Sequence, residues 1–276
     1  MKITTFAPCR ISIFGGGTDV GYFAKNYGGA IINFAISLGT TVTYNNGEWT
    51  TERNFNGSGL GGSASLWVAW LGVFNEMNKM EWTRKEIAEK AFKIESEIIG
   101  WEGGKQDQYA SVYGGLNLLY CNEDVLVTPL PSRECNKLME WIVLCRAEIN
   151  RPEINPQKGL TTPSRNQLRA LHNIKLMTFK ALKFIEEDKY LDIAKLLHLS
   201  WEEKKKSNKV SSPELDKLYN RALNIGATGG KLVGAGQGGH FVFMVEPKRR
   251  QKFIKNLPKG LEFVNFKPNW TGLEVK

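Results

Sequence analysis

The sequence predicts an α+β protein of two lobes, an N-terminal lobe over residues 1–137 and a C-terminal lobe over residues 138–276. Two observations predict this class. The order of strand-like and helical segments is that of an α+β chain, without an internal repeat. After a strand-like run at Met139–Cys145, long amphipathic helical patterns follow. A chain of 276 residues buries ample core for two such lobes.

The N-terminal lobe opens on strand-like segments. Ile3–Phe14 has alternating apolar positions and ends at three glycines, which predicts a strand. Ala30–Tyr44 is rich in Ile, Val and Thr and predicts two further strands. Ser63–Met77 is apolar on nearly every side, which predicts a helix in the middle of a domain.

In the rest of this lobe, the sequence predicts one longer helix, a short helix near Asp107 and two short strands. The capping-box pattern of Thr83–Glu86 opens the longer helix, and Gly100 ends it. The short strands are Leu116–Leu119 and Val125–Leu130.

In the C-terminal lobe, the sequence predicts three helices, at Gln167–Glu187, Tyr190–Lys205 and Pro213–Ile225. Arg151–Pro163 holds three prolines and no periodicity, which predicts a loop. Strand-like runs flank the glycines of 234–239, and Leu261–Phe266 predicts a last strand.

Composition excludes several classes of protein. Among the 276 residues, the longest uncharged apolar run is Leu66–Phe74, too short for a membrane helix of about 20 residues. The N-terminus lacks an apolar signal segment, and the four cysteines form no C-x-x-C pair, so we expect a cytoplasmic protein with no membrane partner. The net charge is +9, but no basic stripe with interleaved aromatics is present; we expect no nucleic-acid partner. Either a small anionic substrate or a basic solvated surface explains the net charge. The sequence leaves a homodimer as an open alternative to a monomer.

The stretch "NGSGLGGSAS", Asn56–Ser65, is a glycine loop before the predicted helix. Gly57, Gly59 and Gly62 match the G-x-G-x-x-G of dinucleotide sites, but polar residues precede them where such sites need a buried strand. A second match, Gly234 to Gly239, precedes a strand-like run rather than a helix, and G-x-x-x-x-G-K-[ST] is absent. The loop before a helix N-terminus favours a polyphosphate, with Ser63 as a candidate Mg²⁺ ligand; the alternative is a flexible turn with Ser63 as N-cap.

Two carboxylates stand out on the predicted helices. Glu95 lies one position from the apolar stripe that includes Ile94 and Ile98. A buried carboxylate needs a cation or donor, so either a metal shared with Ser63 or a structural hydrogen bond is expected. Asp107 begins a short helix after two glycines, which suits a proton acceptor or a purely stabilising first-turn acid.

Taken together, these segments resemble the GHMP kinases (galacto-, homoserine, mevalonate and phosphomevalonate kinases). "APCRISIFGGGTD" is similar to the first motif of the family, "GSGLGGSAS" to its phosphate loop and "GATGGKLVGAGQGG" to its third motif. "GGKQDQYASVYGG" and "SWEEKKKSNKVSSPELDKLY" are most similar to the sugar kinases that act on D-glycero-D-manno-heptose 7-phosphate. The resemblance implies an N-terminal lobe like domain 2 of ribosomal protein S5 and a ferredoxin-like C-terminal lobe.

The resemblance also implies roles for residues. Asp107 would be the base at the sugar hydroxyl, and Arg10 the cation that supports it. Ser63 and Glu95 would hold Mg²⁺. The ATP phosphates would lie on the loop residues Gly57, Ser58, Gly59, Leu60, Gly61, Gly62 and Ser63. The sugar would contact residues of the first and third motifs, namely Gly16, Gly17, Thr18, Asp19, Gly234, Ala235, Gly236 and Gln237.

The chain departs from the family pattern next to the phosphate loop. Between Val42 and Gly57 it has only a short polar bridge, where the family has material that helps to hold adenine. Asn54–Asn56 replaces prolines, and Gly62 replaces a serine. The motifs together predict an ATP- and Mg²⁺-dependent heptose 7-phosphate kinase, and the short bridge predicts weak ATP binding. The alternatives are a kinase for another sugar such as fucose and a non-catalytic sugar-phosphate binder.

Overall fold

The computed structural model describes residues 1–149, 162–207 and 209–276. The predicted loop Arg151–Pro163 lies outside these residues, apart from its last two positions. The strands are β1 Lys2–Phe14, β2 Gly29–Asn45, β3 Glu48–Arg53, β4 Leu116–Cys121, β5 Val125–Pro129, β6 Ile142–Ala147, β7 Gly229–Leu232, β8 Gly239–Met244, β9 Leu261–Val264 and β10 Glu274–Val275. The helices are α1 Gly21–Tyr27, α2 Gly62–Asn78, α3 Arg84–Lys93, α4 Gln106–Tyr113, α5 Ser132–Trp141, α6 Arg165–Glu186, α7 Tyr190–Ser207, α8 Pro213–Asn224 and α9 Pro247–Lys255, with a π-helical turn at Ile94–Ile98 after α3.

The strands form two antiparallel sheets, so the α+β class is confirmed. The first sheet has the order β10-β1-β2-β4-β5, with β3 also paired to β2. The second has the order β7-β8-β6-β9. The last described residues return to the first sheet, where β10 pairs with β1.

The prediction of two strands over Ala30–Tyr44 was wrong, because β2 is one strand of 17 residues. It pairs with β1 from Asn45 opposite Lys2 to Ile32 opposite Phe14. The register shifts between Pro8 and Cys9, so a bulge bends the ladder at this point without ending the strand.

The polar bridge before the phosphate loop is also more ordered than predicted. Strand β3 pairs with the end of β2, from Glu48 opposite Asn45 to Arg53 opposite Thr40. The turn residues Asn46 and Gly47 both have positive φ, 49° and 98°, as a two-residue hairpin turn requires. The Asn-Gly pair was the sequence signal for this hairpin.

The two faces of the first sheet pack against different helices. On one face, a buried cluster joins Ile3, Ile31 and Val42 to residues of α2 and α3 such as Val68 and Ile87. On the other face, a second cluster joins alternate residues of β1 and β2 to α6, α7 and β6. The second sheet has its own aromatic core with α8 and α9, which includes Trp201, Tyr219, Phe241, Phe243 and Phe253.

The π-helical turn after α3 changes which of its side chains are buried and which face solvent. The predicted capping box at Thr83 and Glu86 is confirmed, but Ile98, predicted on the buried face, is 78% exposed. Glu95 is only 5% exposed. One extra residue in the turn rotates the following side chains relative to the α-helical pattern, so the isoleucine faces solvent.

Three helices, α1, α5 and α9, were missed by the sequence patterns. Helix α5 contains residues 137 and 138, and a division into lobes at this position stays a prediction. In the described part of the chain, no helix has the length and apolar character needed to cross a membrane.

Candidate active site

A cavity of about 360 Å³ lies where the first strand, the glycine loop and helix α4 meet. All predicted site residues line it except four: Thr18, Leu60, Gly236 and Gln237. Ser12, Gln106 and Gln108, which also line the cavity, each have a buried polar atom without a hydrogen-bond partner among the described residues. Since buried polar groups normally have partners, their concentration here indicates a ligand site.

The glycine loop lines the cavity with backbone rather than large side chains. Gly57, Gly59 and Gly61 have positive φ values of 83°, 95° and 77°, a pattern found in anion-binding backbone nests. Helix α2 starts at Gly62, and its N-cap residue, Gly61, provides no side-chain cap. The first N–H groups of α2 and its positive dipole end are therefore available to an anion. Ser63 lies in the first turn, so the N-cap alternative was wrong.

The glycine loop is held in place by residues 234–240, which we call the third glycine segment. His240 Nδ1 donates to Ser58 O at 2.8 Å, and burial lowers the pKa of this imidazole. A Cβ at Gly234 would stand 2.5 Å from Gly59 Cα, and one at Gly239 would stand 2.3 Å from Ser58 O. The two glycine segments touch backbone to backbone, which only glycine allows.

Arg10 and Asp107 form an ion pair in the floor of the cavity. Arg10 Nε and Nη2 lie 2.7 and 2.6 Å from Asp107 Oδ1, and Arg10 Nη1 donates to Gly59 O at 2.5 Å. The side chains are 4% and 26% exposed. Both nitrogens meet the same carboxylate oxygen, and no described residue bonds Oδ2. The pair therefore positions a partly exposed carboxylate beside the loop with one oxygen open to a ligand.

Ser63 and Glu95 are neighbours, and both line the cavity. Glu95 Oε2 accepts a hydrogen bond from Gln108 Nε2. Burial raises the pKa of Glu95, whereas hydrogen bonds from Ser63 and Gln108 oppose that shift. Hydrogen bonds thus offset part of the free-energy cost of burying the Glu95 carboxylate. The Ser63 hydroxyl and the Glu95 carboxylate still form an oxygen donor set.

Asp19 also lines the cavity, after the first glycine turn. Its carboxylate accepts from Gly17 N at 3.2 Å, Gln106 N at 3.4 Å and Gln106 Nε2 at 3.1 Å. Burial, and then the nearby charge of Asp107, raise the pKa of Asp19.

The four predicted residues outside the lining have other contacts. Thr18 Oγ1 donates to Gly15 O at 2.8 Å and accepts from Ala30 N at 3.1 Å, which fixes the turn to β2. Leu60 is fully buried. The Gln237 side chain donates to Lys209 O and Ser211 O. A sugar role for Thr18 and Gln237, or for Gly236, stays a prediction.

The two departures beside the phosphate loop occupy the same space. A Cβ at Gly62 would stand 2.6 Å from Phe55 Cζ. Gly62 lies in the first turn of α2 and lacks a positive φ, so its backbone accepts any residue. Phe55 therefore accounts for the glycine in place of a serine, and both side-chain positions line the cavity.

We expect Gly62→Ser alone to destabilise the protein and to weaken ATP binding several-fold, because overpacking costs about 1 kcal/mol or more. Adding Phe55→Ala opens that space, so the double variant is expected to be more stable than the sum of the two single effects predicts. Denaturant unfolding and ATP titration calorimetry on the four proteins test this. Strict additivity would contradict the shared-space explanation.

Two residues that line the cavity and two lysines buried beside it were missed by the sequence patterns. Gln106 and Gln108 flank Asp107 and hold Asp19 and Glu95. Lys204 donates from Nζ to Gly234 O at 2.8 Å, and Lys231 is buried beside it. A sequence signal existed for Lys204, which continues the apolar spacing of Leu197 and Trp201 along α7.

Comparison with known proteins identifies the family. Residues 23–115 match the model of the GHMP kinases N terminal domain, and residues 181–262 match that of the GHMP kinases C terminal. The D-glycero-alpha-D-manno-heptose 7-phosphate kinase of Campylobacter jejuni is 30% identical over 95% of each chain. The chain belongs to the GHMP kinase family.

Solved structures of GHMP kinases share the whole fold. A D-glycero-D-manno-heptose 1-phosphate kinase from Bacteroides thetaiotaomicron has a TM-score of 0.79 at 24% identity, covering 100% of this chain and 99% of that one. A putative sugar kinase from Campylobacter jejuni has a TM-score of 0.75 at 27% identity, covering 100% and 98%. The predicted two-part GHMP kinase fold is confirmed.

Proposed function

We propose that this GHMP kinase transfers the γ-phosphoryl group of ATP to the anomeric hydroxyl of a sugar phosphate, D-glycero-D-manno-heptose 7-phosphate. The observation that carries the proposal is the Arg10–Asp107 ion pair beside the anion-binding glycine loop. The 30% identity with a heptose 7-phosphate kinase over 95% of the chain supports the choice of sugar. The four cysteines are buried free thiols, which supports a reducing cytoplasm.

Phosphoryl transfer depends mainly on positioning and charge stabilisation. The N–H groups of Gly57–Ser63 and the start of α2 would hold the ATP phosphates. Asp107 Oδ2, left open by Arg10, would accept or orient the proton of the attacking sugar hydroxyl. Arg10 joins the two halves of this arrangement, since its guanidinium bonds both Asp107 and Gly59 O. It would hold the carboxylate next to the phosphates and stabilise the charge that develops on the transferred group.

Magnesium fits the donor set at Ser63 and Glu95. Mg²⁺ prefers oxygen ligands and keeps several waters, so it needs few protein groups beside the substrate phosphates. A hydroxyl and a buried carboxylate at the loop meet that need. Elsewhere among the described residues, no group of three or more His, Cys, Asp or Glu side chains forms a metal site. Bound there, Mg²⁺ would neutralise phosphate charge.

Sugars that drive ADP release test the proposal. We expect Mg²⁺-dependent turnover with heptose 7-phosphate, and slower turnover with heptose and L-fucose, in a coupled ADP assay. Omission of Mg²⁺ should abolish turnover. Faster turnover of fucose would favour the alternative of a kinase for that sugar. A relative, the L-fucokinase/L-fucose-1-P guanylyltransferase of Bacteroides fragilis, is 27% identical over 68% of this chain and 21% of that protein. ATP binding without turnover of any sugar would favour a non-catalytic binder.

A further inference from the structure

Two lysines are buried beside the cavity. Lys204 in α7 is 9% exposed and Lys231 in β7 is 2% exposed. Lys204 Nζ donates to Gly234 O, whereas no described residue bonds Lys231 Nζ. No carboxylate in the described ranges lies within ion-pair distance of either ammonium. Because buried lysines are almost always paired, the absence of a counter-charge among the described residues is unusual.

The two ammonium groups meet at one point, above Gly16. A Cβ built on Gly16 would stand 3.4 Å from Ser12 Oγ, 3.6 Å from Lys231 Nζ and 3.7 Å from Lys204 Nζ. Ser12 is 2% exposed, and its Oγ has no hydrogen-bond partner in the described parts of the chain. Ser12 and Gly16 line the cavity. Three donors of different elements thus converge on the point that a Cβ of residue 16 would occupy.

The electrostatics of this cluster favour an anion. Burial, followed by the charge of Arg10, lowers the pKa of Lys204 to about 8. Burial and the charge of Lys204 lower the pKa of Lys231 well below its usual value. Among carboxylates, Asp19 opposes the shift at both lysines and Asp107 also does so at Lys204. A bound dianion would favour the charged form of each ammonium and supply the missing counter-charge.

We propose that Ser12, Gly16, Lys204 and Lys231 form a second anion site, which binds the phosphate that the acceptor sugar already carries. This inference rests on the proposed function, because it names how the same cavity selects its sugar. The nucleotide phosphates have the N–H groups of the glycine loop and the start of α2. The lysine cluster instead adjoins the turn of residues 15–19, in which Asp19 would bind sugar hydroxyls. The cluster would make the kinase specific for phosphorylated sugars.

Lys231→Met and Lys204→Met test the site, with Lys206→Met as the matched control. Because burying a charge costs free energy and methionine is an apolar side chain of similar length, both variants are expected to fold. Lys206 is an exposed residue of α7 paired with Glu203. We expect KM for heptose 7-phosphate to rise about 10- to 100-fold in the first two variants, the effect of one lost charge-assisted hydrogen bond. KM for ATP should stay within about twofold, and the control should match wild type. A rise in KM for ATP with an unchanged KM for the sugar phosphate would overturn the proposal.

A binding measurement separates this site from the proposed reaction. Inorganic phosphate is titrated into protein saturated with ADP and Mg²⁺, so that the glycine loop is occupied. We expect binding to wild type and to Lys206→Met, and its loss in Lys231→Met. If no sugar phosphate is turned over but this lysine-dependent binding is found, the proposed function fails and the anion site stands. Absence of phosphate binding to wild type, or equal binding to all variants, would refute the site itself.

Discussion

Asp107→Asn is expected to lower turnover by about 10²–10⁴-fold, the usual contribution of a general base, with little change in ATP or sugar affinity. Asparagine keeps an oxygen that accepts the hydrogen bonds of Arg10 and removes the basic oxygen that faces the cavity. The bond from Arg10 to Gly59 O is independent of residue 107, so the loop should keep its position. Steady-state kinetics and unfolding curves on the same samples measure the effect.

Arg10→Met is expected to lower turnover as well, and the double variant should lose less than the product of the two single losses. The kinetic effects of residues that act as one unit are not additive. Here Nε and Nη2 of Arg10 contact the same oxygen of Asp107. If Asp107 only stabilises the start of α4, its replacement should cost about 1 kcal/mol of stability and leave turnover near normal. A folded Asp107→Asn protein within a few-fold of wild-type turnover would remove Asp107 from the mechanism.

Gly59→Ala should abolish nucleotide binding and destabilise the protein by several kcal/mol, more than positive φ alone explains. An alanine with positive φ costs about 1–2 kcal/mol. At Gly59, the new Cβ would also stand 2.6 Å from Val233 O. This clash with backbone would push the loop away from the third glycine segment and disturb the carbonyl that Arg10 bonds.

Gly47→Ala is the matched control for this change. Gly47 has a φ of 98°, close to the 95° of Gly59, but nothing lies within 4 Å of a Cβ built there. Denaturant unfolding should show only the conformational cost in the control, with ATP titration curves like those of wild type. Equal destabilisation by the two changes would show that the close contact with Val233 carries no energy.

Much of the fold and of the candidate site could be predicted from local patterns. Apolar spacing predicted α2, α6 and α7, and the capping box predicted the start of α3. Glu95 was found because a carboxylate beside an apolar stripe needs a partner. The same rule applied to Lys204, but the charge run Glu202–Lys206 resembles a solvated face and hid the one lysine that turns inward.

Sequence-distant contacts were beyond any local pattern. Arg10 and Asp107 are separated by 97 positions, and the sequence alone suggested them as partners only through the family resemblance. The π-helical turn that exposes Ile98, the single long β2 and the return of β10 to the first sheet depend on which surfaces pack together.

By itself, the sequence determined the family, through the order of several motifs along the chain, and the glycine loop before a helix, which depends on neighbours within a few positions. Only the tertiary structure decided that Phe55 fills the space of a side chain at residue 62, and that Ser12, Lys204 and Lys231 meet above Gly16. Those contacts join β1, α7 and β7, and the free energy of packing the two sheets, rather than any local preference, brings these elements together.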